Sequence, residues 1–300
     1  MAYRLKRGES VEEAIRRIAR AQLGSAAQHL RAQTDATREE AVHEARKSLK
    51  KVRALLRLAG SGLGTTYEVE GARLREIGQK LSQIRDASAL ITAFDDLKSR
   101  HRKKLGRSSL GSIHRALVRD KKHVEAEIGI GELLGKLAGT LTEIRKGARH
   151  WTLEEDGFSA IEGGVEKIFR RGRKALDIAR SGGSREQFHE WRKRVKDHWY
   201  HVRLLENLWS DVLKGYENSL EELEDALGED LNLALLRERI TSTPEGYGSP
   251  ADIRLVTATI DQDRQELRKC ALEIGARVYG EKPARFTREV RRLWRLWRSG

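Results

Sequence analysis

The stretch HEARKSLKKVRALLRL, residues 43–58, is read first because its periodicity decides the fold. On a helical wheel His43, Arg46, Lys47, Lys50, Arg53 and Arg57 fall within an arc of roughly 120°. Ala45, Leu49, Val52 and Leu56 occupy the other side. The segment is therefore a helix that buries one face and displays cations on the other. A second stretch, HEWRKRVKDHWYHVRLL at residues 189–205, repeats the design with His189, Arg192, Lys193, Lys196 and Arg203.

The two starts lie 146 residues apart, and the same offset extends in both directions. It carries Leu74 onto Leu220, Glu76 onto Glu222, Leu81 onto Leu227, Asp86 onto Asn232 and Leu90 onto Leu236. Upstream it carries Ala14 onto Ala160, Ile15 onto Ile161 and Leu30 onto Leu176. One ungapped register over roughly 80 residues indicates an internal duplication. The expected division is a first helical repeat over 1–146 and a second over 147–300.

Strong helix formers dominate between the glycines, and β-branched alternation is missing, so the chain reads as all-α. Expected helices begin after Ser10, with Glu13 completing a capping box, and at Asp35 or Thr37, ending at Gly60. Further ones cover about Tyr67–Arg100, with a break near Asp86, and Leu110–Glu127. Gly129–Gly147 reads as a glycine-bearing connector. Helices then recur near Phe158–Ala179, Arg185–Trp209, Tyr216–Ile240, Ala251–Val278 and Ala284–Trp297.

The chain holds 300 residues, with 59 Lys and Arg against 45 Asp and Glu, for a net charge of +14. Such a balance attracts polyanions. The single Cys270 excludes an internal disulfide and any multi-cysteine metal site. The N-terminal residues lack the apolar core of a signal peptide. No apolar run reaches the ~18–20 residues that span a bilayer. The expected location is cytoplasmic, with no membrane partner.

An ordinary solvated helix face mixes acids with bases at i,i+4 spacing. These stripes hold almost no acid, since Glu44 and Glu190 lie off centre, and like charges stacked along a helix repel. That favours an anion site over a solvated face. His43 and His189 sit on the cationic side. Neighbouring cations should depress their pKa values, and a bound polyanion should raise them. HEARK and HEWRK lack the second histidine of HExxH, so no metal is expected. Arg115, Arg119 and Lys122, the pair Arg264 and Arg268, and Arg16 and Arg20 read as ordinary surface charges. Trp191, Trp199, Trp209, Trp294 and Trp297 read as packing residues.

The two His-x-x-Arg-Lys-x-x-x-Lys helices, the duplicated halves and the segment LSQIRDASAL resemble the CHAD domain, the conserved-histidine α-helical family. The resemblance runs from about Tyr3 to Trp297, a single domain over 1–300. It implies two similar four-helix bundles related by a pseudo-twofold axis, with a basic groove or channel between them. It also implies binding of inorganic polyphosphate. The family's positions map onto His43, Arg46, Lys47, Lys50, Arg53 and Arg57, and onto His189, Arg192, Lys193, Lys196 and Arg203. Its Arg-Asp pair matches Arg85-Asp86 and is lost at Leu231-Asn232, while Asp86 could equally cap a helix. Trp199 replaces Arg53 in the second copy. No Glu-x-Glu-x-Lys segment of the triphosphate hydrolases that accompany this family is present.

The expected function is non-catalytic polyphosphate binding, extending to polyphosphate granules, with no cofactor and no catalytic residue. Arginine offers forked contacts and lysine point charge to such a chain. Two alternatives stand beside it. One is nonspecific nucleic-acid binding, which the charge permits without any recognition motif. The other is a phosphate-ester or polyphosphate hydrolase, which normally needs carboxylates holding a metal. The sequence places no compact acidic cluster near the basic helices.

Overall fold

A computed structural model describes residues 3–34, 36–105, 110–127 and 129–300, with only the backbone described at 61 and 124–127. The described residues form helices and their connections, without a strand. In order these are α1 (Val11–Ala32), α2 (Arg38–Ala59), α3 (Thr65–Arg100), α4 (Arg102–Leu105), α5 (Gly111–Glu127) and α6 (Ile130–Gly147). They continue with α7 (Ser159–Arg180), α8 (Arg185–Leu205), α9 (Ser210–Ser242), α10 (Pro250–Val278) and α11 (Pro283–Ser299).

Local chemistry sets several of the ends. Ser10 caps α1 and Ser184 caps α8, each in a reciprocal capping box with Glu13 or Gln187. Thr37 precedes α2 without a side-chain cap bond; the alternative start at Asp35 lies outside the described residues. Gly60 ends α2 at φ 55°, a conformation that costs glycine nothing. Pro250 and Pro283 open α10 and α11 at positions where a missing N–H is harmless.

Two sequence expectations change. The expected break near Asp86 is absent, since α3 runs unbroken from Thr65 to Arg100 and Asp86 caps nothing. The glycine-bearing connector is largely the helix α6, packed along α1. Each interior glycine costs a helix about 1 kcal/mol. Leu134, Leu137, Leu141 and Ile144 are buried on one side of α6, and each such side chain returns about 1.5–3 kcal/mol. Tertiary burial outweighs propensity here.

Two apolar cores hold the molecule. The larger takes side chains from α1, α2, α6, α7, α8 and α11, the first parts of α3 and α9, and the end of α10. The smaller joins Phe94 and Leu97 of α3 and Ile113 and Leu117 of α5 to Leu236 and Ile240 of α9 and Val256 and Ile260 of α10. α3 and α9, of 36 and 33 residues, are long enough to enter both. α2 packs on α1, α3, α7 and α8, and α8 packs on α7 and α9. Gly164 makes the α2–α7 approach possible. A Cβ there would stand 1.9 Å from the Leu58 carbonyl oxygen.

Candidate anion-binding site

The apolar sides of α2 and α8 behave as their wheels require. Ala45, Leu49, Val52 and Leu56 are buried, as are Trp191, Val195 and Val202. Packing of these faces fixes the cationic sides of both helices. The two helices also touch directly: Arg57 pairs with Asp197 at 2.8 Å, and His201 Nε2 lies 2.8 Å from the Ala54 carbonyl. Where their first halves lie, two cavities open.

The first cavity, of about 410 Å³, gathers His43, Arg46, Lys47 and Lys50 from α2 with Arg192 and Lys196 from α8. Glu224, Asp225, Gly228 and Asn232 of α9 form another wall. The second, of about 630 Å³, gathers His189, Arg192 and Lys193 with Arg46 and Lys50, and is walled by Ser82, Arg85 and Asp86 of α3. Arg46, Lys50, Arg85, Arg192 and Asn232 line both.

Eight of the eleven residues expected from sequence therefore meet around these cavities: His43, Arg46, Lys47, Lys50, His189, Arg192, Lys193 and Lys196. Arg53, Arg57 and Arg203 do not line them. Arg53 and Arg57 face a separate cavity between α2 and α3. Arg203 pairs with Glu217 at 3.2 Å and lies over the Trp199 ring, 5.0 Å from its centroid.

The structure also adds residues. Arg85 and Arg100 arrive from α3, and Arg185 sits four residues before His189 on the same face of α8. Only Arg185 could have been read from the wheel. Single carboxylates that the sequence did not place there also reach the site. Asp86, Asp96, Glu224, Asp225 and Glu229 all reach the cavity walls, from α3 and α9. Among the described residues, no three His, Cys, Asp or Glu side chains are grouped so as to hold a metal ion.

Electrostatics follow from burial and crowding. Burial, followed by repulsion from Lys196, Arg192 and Arg46, lowers the Lys50 ammonium to about 6. Burial also lowers Arg46, opposed by Asp86, and Lys196, opposed by Glu224. His189 falls to about 4, through burial first and then Lys193 and Arg192; His43 falls through burial and Arg85. The expected depression of both histidines is thus present, with desolvation as its largest cause. Burial pushes the Asp86 carboxyl up against the pull of Arg46 and Arg85. Glu224 stays below the usual carboxylate range. Burial would raise it, but Arg192 Nη2 at 2.6 Å and Lys196 Nζ at 2.7 Å prevail.

The outlying cations are mostly engaged by the fold. Arg264 and Arg268 both hold the buried Asp230, at 2.9 and 3.1 Å. Arg16 pairs with Glu12 and donates to the Trp151 carbonyl, and Arg119 donates to the Gly246 carbonyl. Trp191, Trp199, Trp294 and Trp297 are buried, whereas Trp209 is exposed. Cys270 is a free, exposed thiol. No described helix is long and apolar enough to cross a membrane.

Compared with known proteins, residues 17–241 match the family model of the CHAD domain. No curated protein matches the chain.

Proposed function

The chain belongs to the CHAD domain family, and from that premise we propose that it binds inorganic polyphosphate, without cleaving it, between α2 and α8. The observation that carries this reading is the sharing of Arg46, Lys50, Arg85 and Arg192 by two adjoining cavities. A flexible anion entering one cavity meets the same cations that face the other. The two cavities then act as one basic channel, each side supplied by one copy of the duplicated helix. In this reading the halves 1–146 and 147–300 are two related helical repeats, and the channel is their common product.

The chemistry suits a phosphate polymer without bases. Arginines give forked contacts and lysines point charge. The cavity carboxylates argue for holding rather than hydrolysis. Glu224 is tied to Arg192 and Lys196, and Asp86 sits among Arg46, Arg85 and Lys50. Polyphosphate granules in the cytoplasm are the expected place of action.

Calorimetry with graded polyphosphate lengths at constant ionic strength tests the proposal. A chain held at one cavity presents its next phosphates to the other at high effective concentration. Affinity should therefore climb with length and then level off, and should fall steeply with salt. The folded quadruple variant Lys47→Glu, Lys50→Glu, Lys193→Glu, Lys196→Glu should not bind. Equal affinity for triphosphate and a long chain, or unchanged affinity of that variant, would refute the channel. Stronger binding to duplex DNA than to polyphosphate at equal salt would favour a nucleic-acid role. Metal-dependent phosphate release that copurifies with the protein would make it a hydrolase.

A further inference from the structure

Arg53 and Arg57, which leave the channel, meet Arg75 of α3 in a cavity of about 250 Å³. Tyr67, Glu68 and Gly71 complete its working walls. Three arginines line this one cavity, and Asp197 offsets part of the charge of Arg53 and Arg57. Arg57 is held by Asp197 at 2.8 Å. Arg53 and Arg75 make no ion pair and no side-chain hydrogen bond among the described residues. Glu68 is exposed at the rim. A guanidinium carries five donors in a fixed fork; Arg53 is half-buried and Arg75 exposed, so both present their donors to the open side of the cavity. Burial, with Arg57 and Arg75 nearby, lowers Arg53 to about 10.

From this geometry we infer a second anion site, separate from the polyphosphate channel, that takes one compact tetrahedral oxyanion such as inorganic phosphate or the end of a phosphomonoester. Its size sets the ligand class. The cavity of about 250 Å³ lies below the roughly 300–1,000 Å³ of pockets that enclose drug-sized molecules, so it holds one phosphoryl group and leaves the rest of any ester outside its open side. Its charge sets the sign. Arg53 and Arg75 can each fork onto phosphate oxygens, while Tyr67 supplies a neutral hydroxyl. Arg57 remains bound to Asp197 and contributes its field. None of the residues lining this cavity lines either part of the channel. The inference therefore stands whether or not the polyphosphate reading does.

Gly71 provides a test that leaves every charge in place. A Cβ at this position meets no atom within 4 Å, so a larger side chain projects into open space at the cavity wall. Leucine is also a better helix former than glycine. Inorganic phosphate should bind the wild-type protein at one saturable site, read by calorimetry in phosphate-free buffer. Gly71→Leu and Arg75→Ala should each weaken that binding by at least about tenfold, as expected for a lost charge-assisted contact. Both should keep wild-type polyphosphate affinity and helical content. Saturating polyphosphate should leave phosphate binding in place. Absence of a saturable phosphate site, or unchanged binding in folded Gly71→Leu, would overturn the assignment. Competitive displacement by polyphosphate would overturn the separateness and make this cavity part of the channel. If Arg75→Ala fails to fold, Gly71→Leu decides alone.

Discussion

Lys50 of α2 and Lys196 of α8 occupy positions related by the 146-residue offset, yet their surroundings differ. Lys196 has Glu224 at 2.7 Å. Lys50 makes no ion pair among the described residues, and burial with its cationic neighbours lowers it to about 6. The arginines one turn earlier repeat the contrast. Arg192 pairs with Glu224 at 2.6 Å, whereas Arg46 donates to the Gly78 carbonyl at 3.3 Å and to the Ser82 hydroxyl. Gly78 and Glu224 are themselves related by the offset. The residue that α3 or α9 sets opposite these arginines, Gly78 or Glu224, thus changes how far each basic helix is neutralised. Similar helix sequences yield unequal electrostatics because the partner helix supplies the counter-charge.

The largest expected effect breaks the two sides apart. The pair Lys47→Glu with Lys50→Glu should cost about 100-fold or more in polyphosphate affinity, since each charged contact is worth about 1.5–3 kcal/mol. The pair Lys193→Glu with Lys196→Glu should cost about tenfold less, because Glu224 already offsets part of that charge. Titration of both folded variants at one salt concentration measures this. Equal losses would show that the inequality does not reach the ligand.

A smaller effect sharpens the same contrast at its source. Glu224→Gln should raise polyphosphate affinity by freeing Arg192 and Lys196. It should also destabilise the fold by about 3 kcal/mol, the cost of removing one member of a buried pair. The sign with pH follows from the lowered folded pKa of Glu224. Its contribution is present above the unfolded carboxylate pKa and is lost as pH falls through the folded value. The thermal difference between wild type and variant should therefore be full at neutral pH and shrink in acid. Gly78→Glu should move affinity the other way, since it places the same acid beside the α2 stripe.

The smallest effect is a proton. At pH 7 a Lys50 with a pKa of about 6 is mostly neutral, and a bound polyanion should restore its charge. Binding at pH 7 should take up close to one proton, read from heats in buffers of different ionisation enthalpy. The uptake should vanish below the Lys50 pKa and in Lys50→Met. Without ligand, the unfolded chain binds this proton more readily than the folded one between about pH 6 and the ordinary lysine value. Stability should rise with pH across that window, and Lys50→Met should flatten the slope. Uptake unchanged in Lys50→Met would assign the proton to another group.

The helices were legible where apolar periodicity was strong and caps were present, as at Ser10 and Gly60. α6 was not, because Gly131, Gly135 and Gly139 lower local propensity and only packing on α1 restores the balance. Within the site, the wheel assigned the cations of α2 and α8 to one face each. It placed Arg53 and Arg57 with the others because azimuth ignores position along the helix. Arg53 and Arg57 instead line a separate cavity with Tyr67, Glu68, Gly71 and Arg75 of α3. Arg85 was marked only by the family resemblance and Glu224 by nothing, because their importance depends on which side chains α3 and α9 turn toward the basic helices.

By itself the sequence determined the all-α class, the matching basic helices, their burial faces and the family. These depend on near-neighbour periodicity and on a repeat register that survives in one dimension. Only the tertiary structure decided which cations share a cavity, which carboxylates oppose them, and that Lys50 and Lys196 differ. Charge energies fall off with distance and rise with desolvation, and both quantities are set by residues far apart in the chain. Position 224 acts on position 196 across 28 residues of sequence and 2.7 Å of space.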